Sequence, residues 1–135
     1  MPLNPYDNVL VQRTLAPAAR TATANGTAVD RAASGARYQD ALIVIDTGVV
    51  TDGTHTFAVQ DSPNGTDWTA IDDEFLQGTE PAVTSSNDDT IYEIGYLGSE
   101  RYLRVAVTVA GATTGGIYSA AVVLSNARRG PVDRD

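Results

Sequence analysis

From Arg101 to Val109 the chain alternates. Leu103, Val105, Val107 and Val109 fall on one side of an extended backbone, and Tyr102, Arg104, Ala106 and Thr108 fall on the other. A strand has a side-chain period of two, so this pattern specifies a β-strand with one buried face and does not suit a helix. Ala41-Leu42-Ile43-Val44-Ile45 and Ile117–Leu124 are apolar at both parities, the pattern of a strand covered on both sides. Shorter strand signals run over His55–Gln60, Trp68–Ile71 and Thr90–Tyr96, and turn formers separate them: Thr51–Thr54, Ser62–Gly65 and Ala110–Gly116. Asp72–Gly78 reads as one helical turn, capped by Asp72 and stopped by Gly78. No helical periodicity of useful length is present. The expected fold is all-β, an antiparallel β-sandwich or jelly-roll-like domain of about six to eight short strands.

Residues 1–36 differ in character. They are rich in Ala, Thr, Pro and Asn, and Pro2, Pro5 and Pro17 interrupt regular structure. The expectation is an extended N-terminal arm over 1–36, with a small hairpin at 21–29 turning on Asn25-Gly26. The sandwich then occupies 37–126, and 127–135 is a C-terminal tail. At 135 residues the chain fits one domain, and a domain of this size buries about two-thirds of its unfolded surface. Cysteine is absent, so disulfides, thiolate nucleophiles and Cys-based zinc sites are excluded together.

Charge is segregated along the chain. Thirteen carboxylates and no basic residue lie between Asp40 and Glu100, while all nine arginines lie outside that window. Phosphate-backbone binding needs concentrated basic residues, so a net charge of −8 argues against a nucleic-acid partner. The start lacks the pattern of a signal peptide and no apolar run reaches membrane-spanning length, so a soluble protein without a membrane partner is expected.

Residues able to carry chemistry are few. His55 is the single histidine, and no nucleophile stands at a catalytic spacing from it, so a structural role is expected. Asp72-Asp73-Glu74 and Asn87-Asp88-Asp89 are oxygen-rich, yet neither has the ligand spacing of a calcium loop; no metal and no cofactor are expected. Ser62–Trp68 resembles the Asp-box turn of sialidases in outline but is one residue short and lacks its aspartate, so it is read as a turn with Trp68 on its edge. Trp68, Tyr92 and Tyr96 would serve a sugar-binding platform if they shared an accessible face. No enzyme is expected.

The segments Thr51–Ser62, Thr66–Ile71, Tyr92–Gly98 and Arg101–Val105, closed by Asn126–Val132, give Tyr38–Val132 its likeness to a known group. This stretch resembles small structural proteins encoded among the head genes of tailed bacteriophages. The resemblance implies a virion protein on the capsid surface, made in the host cytoplasm. It implies in particular a head decoration (cement) protein that clamps neighbouring major capsid protein subunits. Proteins in that role commonly form homotrimers and often use an extended arm. On that reading Arg13 and Arg20 would pair with shell carboxylates, while Tyr6, Val9, Leu10, Val11 and Leu15 would fill shallow grooves. The two-faced apolar strand Ile117–Leu124 hints at a sheet edge shared between subunits. A tail tube or connector component, and a carbohydrate-binding module, are the alternatives.

Overall fold

The computed structural model describes residues 4–128. A single helical turn, α1 (Pro5–Asn8), is capped by the Asn4 side chain, which accepts the Asp7 N–H at 2.8 Å. Eleven strands follow: β1 (Val9–Arg20), β2 (Ala24–Asn25), β3 (Val29–Asp30), β4 (Tyr38–Val50), β5 (Thr54–Ser62), β6 (Thr69–Ala70), β7 (Leu76–Gln77), β8 (Ala82–Val83), β9 (Ile91–Tyr96), β10 (Tyr102–Ala110) and β11 (Gly116–Ala127). Five of these are two-residue pieces; of the six long ones, all but β1 are strands that alternation and apolar runs reveal.

Two antiparallel sheets face each other, as the sequence leads one to expect. The first has the order β1-β11-β4-β9-β7. The second centres on β10 and β5, with β2 and β3 along β10 and with β6 and β8 along β5. Inward residues of both sheets form one core, including Ile43, Ile45, Phe57, Val59, Ile94, Leu103, Val105, Tyr118 and Val122. Successive long strands exchange sheets: β4 passes to β5, β9 to β10, and β10 to β11 across the gap.

Two of these crossings are tied together. Gly53 turns the first corner at φ +83°, and a side chain there would meet Ala112 and the Ala110 carbonyl. The adjacent Asp52 carboxylate accepts backbone N–H groups from Thr113, Thr114 and Gly115, the last at 2.7 Å, and so fixes the corner between β10 and β11. Those donors hold its carboxyl below the usual carboxylate range, Gly115 contributing most.

The N-terminal segment is extended but is not separate from the domain. Residues 9–20 are the edge strand of the first sheet, paired with β11 from Val9↔Ser125 to Arg20↔Gly116. Leu10 and Leu15 enter the core, where Leu15 is only 2% exposed. Pro17 is accommodated in an irregular stretch between Leu15 and Ala18 on this edge, where a missing N–H costs no ladder bond. The hairpin expected at 21–29 does not form. Asn25 and Val29 both pair with β10, at Ala106 and Leu103, because the chain crosses to the second sheet instead of folding back on itself.

Asp73–Phe75 is a short 3-10 turn, and Asp72 stands before it without a side-chain cap. Leu76–Gln77 then joins β9, ending the helix after that single turn. The expected C-terminal tail, beyond Arg128, lies outside the described residues.

Candidate docking surface

The outer face of the first sheet is apolar and nothing in the described chain covers it. Through the middle of β4 and β11 burial alternates: Ile43, Ile45, Val122 and Leu124 point inward, whereas Leu42, Val44, Ala121 and Val123 point outward and stay partly exposed. Cross-strand register collects the outward residues into rows. Val11, Val123 and Leu42 stand side by side across β1, β11 and β4, and Arg13, Ala121, Val44 and Glu93 form the next row. Val11 is 59% exposed; Ile117 and Val49, toward one end of the face, are 51% and 55% exposed. Arg13, Asp46 and Glu93 give it a charged margin. The two-faced strands of the sequence are thus covered on one face by the chain itself and on the other by nothing among the described residues.

Of the seven residues expected to meet a shell, the structure separates two groups. Tyr6, Val11 and Arg13 are exposed, and Val9 is half-buried on the same outward parity as Val11. Leu10 and Leu15 belong to the core and cannot fill grooves elsewhere. Arg20 is occupied within the chain: its guanidinium donates to the carbonyls of Ala16 at 2.6 Å and Tyr118 at 3.0 Å, and it lies 5.4 Å from the Tyr118 ring centre. It closes the end of the edge strand. β11 is not an edge, since β1 and β4 flank it; the sheet edge on this side belongs to β1. The residues that sequence reasoning missed are Leu42, Val44, Ala121 and Val123. Their signal was present as apolar residues at the second parity, but a sequence does not say which molecule provides the cover.

The remaining candidates resolve into structure. His55 is fully buried. Its Nε2 lies 3.1 Å from the Asp52 carbonyl, which can only accept, so Nε2 carries the proton and Nδ1 accepts from the Tyr118 hydroxyl at 2.8 Å. The Tyr118 ring meets His55 and Phe57 edge-on at 5.2 and 4.9 Å, and its burial pushes the hydroxyl up to about 12.

The turn at Ser62–Trp68 is built by its own side chains. Asn64 Oδ1 accepts from the backbone N–H groups of Thr66 and Asp67, each at 2.9 Å, and Ser62 Oγ accepts from Gly65 at 2.9 Å. Trp68 lies under the Arg104 guanidinium at 4.4 Å on the second sheet. Tyr96 is buried in the first sheet, and Tyr92, also on that sheet, donates its hydroxyl to the Asn87 carbonyl at 2.6 Å. The three aromatics therefore share no accessible platform.

In the second acidic cluster Asp88 accepts the Val50 N–H at 2.7 Å, and Asn87 accepts the Thr84 N–H and donates to the Ala82 carbonyl, so these two side chains brace the loop. Among the described residues no three His, Cys, Asp or Glu side chains converge as a metal would require.

In comparison with known proteins, no family model matches the chain and no curated protein matches it in sequence.

Proposed function

We propose that this chain is a structural virion protein, a head decoration protein that docks on the major capsid protein through the outer face of its first sheet. The observation that supports it is the uncovered apolar rows of Val11, Val123 and Leu42 and of Ala121 and Val44, rimmed by Arg13, Asp46 and Glu93. An apolar centre with a charged margin is the anatomy of a protein interface. The likeness of Tyr38–Val132 to phage head proteins supplies the occupant.

Magnitude shapes the proposal further. Four strands about 4.8 Å apart and some seven residues long give a face of roughly 450 Å². That is about half of what one partner buries in a standard interface. One copy alone would hold weakly. A homotrimer would present three such faces to neighbouring subunits and gain by effective concentration. The acidic loops then lie away from the shell and keep particles mutually repulsive.

The test is co-sedimentation of the protein with expanded shells of the phage that encodes it. Val11→Glu and Val123→Glu should abolish pelleting while leaving the melting temperature nearly unchanged, because both side chains point outward. Undiminished pelleting would overturn the docking face. The copy number per particle, by quantitative mass spectrometry, separates the placements: hundreds support decoration, whereas a few dozen indicate a connector or tail component.

A further inference from the structure

At the end of the sandwich opposite Asp52, four of the nine arginines meet. Arg31 follows β3, Arg37 precedes β4, Arg101 precedes β10 and Arg128 follows β11. With Glu100 and Gly98 they line an open cleft of about 520 Å³. The two basic ends of the sequence, far apart along the chain, converge here because Arg128 N–H bonds the Ala36 carbonyl at 2.9 Å and Arg31 N–H bonds that of Arg101 at 2.9 Å.

Among the described residues the charge in this cleft is not balanced. The one ion pair among the described residues joins Arg101 to Asp30, through Nε–Oδ1 at 2.8 Å and Nη2–Oδ2 at 2.9 Å. Arg31, Arg37 and Arg128 have no carboxylate at pairing distance among those residues. Arg31 is the telling one, because it is only 9% exposed. Its terminal nitrogens donate to the carbonyls of Glu100 at 2.7 Å and Gln39 at 2.8 Å, its plane lies 5.2 Å from the Tyr96 ring centre, and its buried Nε has no partner among the described residues. A buried guanidinium satisfied only by neutral groups retains its desolvation cost. An anion in the cleft would offset it, and guanidinium forks match the oxygens of phosphate and carboxylate.

We infer that this cleft binds a compact oxyanion, of the phosphate or paired-carboxylate type. The inference does not rest on the docking reading, since the cleft lies at the strand ends and not on the outer face of the first sheet. The acidic body around it disfavours long polyanions, which selects a small group or a short chain segment. Two sources carry the chemistry: free inorganic phosphate, and the carboxylates of Asp133 and Asp135 that follow Arg128 in the sequence.

The experiment is titration of the full chain with inorganic phosphate at constant ionic strength, followed by amide chemical shifts. Saturable shifts at Arg37, Gly98, Ser99 and Arg128 are expected. Arg37→Gln with Arg128→Gln should weaken binding at least about tenfold. Both side chains are exposed, so that variant keeps the fold, which Arg31→Gln would endanger. Absence of saturable shifts in the wild type and in Asp133→Asn with Asp135→Asn alike overturns the site, as does equal affinity in the arginine variant. Tighter binding in the aspartate variant supports the site and identifies the chain's own carboxylates as its resident group. Unchanged affinity there supports it with a free anion as ligand.

Discussion

The Thr14 hydroxyl accepts the backbone N–H of Val105 at 3.2 Å, joining the edge strand of one sheet to the central strand of the other. The same hydroxyl donates to the Thr27 carbonyl at 2.8 Å, and the Gly26 N–H reaches the Val105 carbonyl at 2.8 Å. A β-bulge between Arg13 and Leu15 makes this possible, because it turns Thr14 toward the gap between the sheets.

That seam leaves no room at Gly26. A Cβ there would lie 2.6 Å from the Val105 carbonyl and 2.7 Å from that of Thr14, both backbone atoms that cannot step aside. Gly26→Ala should lower stability by about 1–3 kcal/mol. Thr14→Val, which strands a buried N–H and a carbonyl, should cost about as much. Urea unfolding reads both as a lower midpoint at unchanged slope.

The edge strand should divide sharply by parity. Leu15→Ala removes a fully enclosed side chain and should cost about 2–5 kcal/mol, whereas Val11→Ala, on the open face, should stay within about 0.5 kcal/mol. Deletion of residues 1–20 would remove both leucines and the partner of β11, so loss of cooperative unfolding is expected, beyond any loss of docking. A truncated chain that still unfolds cooperatively would contradict this account of β1.

Alkaline pH should weaken the fold through its buried tyrosines. Burial raises Tyr118 from 10.0 to about 12, and Tyr96, which donates to Asp61 at 2.8 Å, is also raised by burial. A raised tyrosine keeps its proton in the fold where the unfolded chain has lost it. Stability is therefore complete below about pH 10 and declines as pH rises toward 12. Phenolate absorbance should show late titration from Tyr118 and Tyr96, and Tyr118→Phe should remove one of these late steps.

Acid acts through Asp52 and Asp30 in the opposite sense. Backbone N–H groups led by Gly115 depress the first carboxyl, and the Arg101 guanidinium depresses the second. The stability they contribute is present above the ordinary carboxylate range and is lost as pH falls through their lowered values. Asp52→Asn should flatten the acid limb of a melting-temperature profile. An unchanged limb would show that the corner does not depend on the charge.

The long strands were legible because their apolar residues keep one parity or fill both. β1 was not, for a physical reason: Leu10 and Leu15 are five residues apart, an odd interval that regular pleating sends to opposite faces. Only the bulge at Thr14 brings both inward, and nothing in the residues announces it. β6 falls within the signal at Trp68–Ile71, whereas β2, β3, β7 and β8 are two-residue contacts fixed by the neighbouring sheet, too brief to leave a period. The outward rows on β4 and β11 were visible as apolar residues at the second parity, but a sequence does not say what covers them.

The pairing of β1 with β11 also orders events in time. Val9 and its register partner Ser125 stand 116 residues apart in the sequence. Contacts so distant in sequence are slow to form. The row that brings Val11 beside Val123 does not exist on a nascent or half-folded chain. The apolar face is thus complete only once β1 and β11 have paired, so its presence marks a chain whose first sheet has closed.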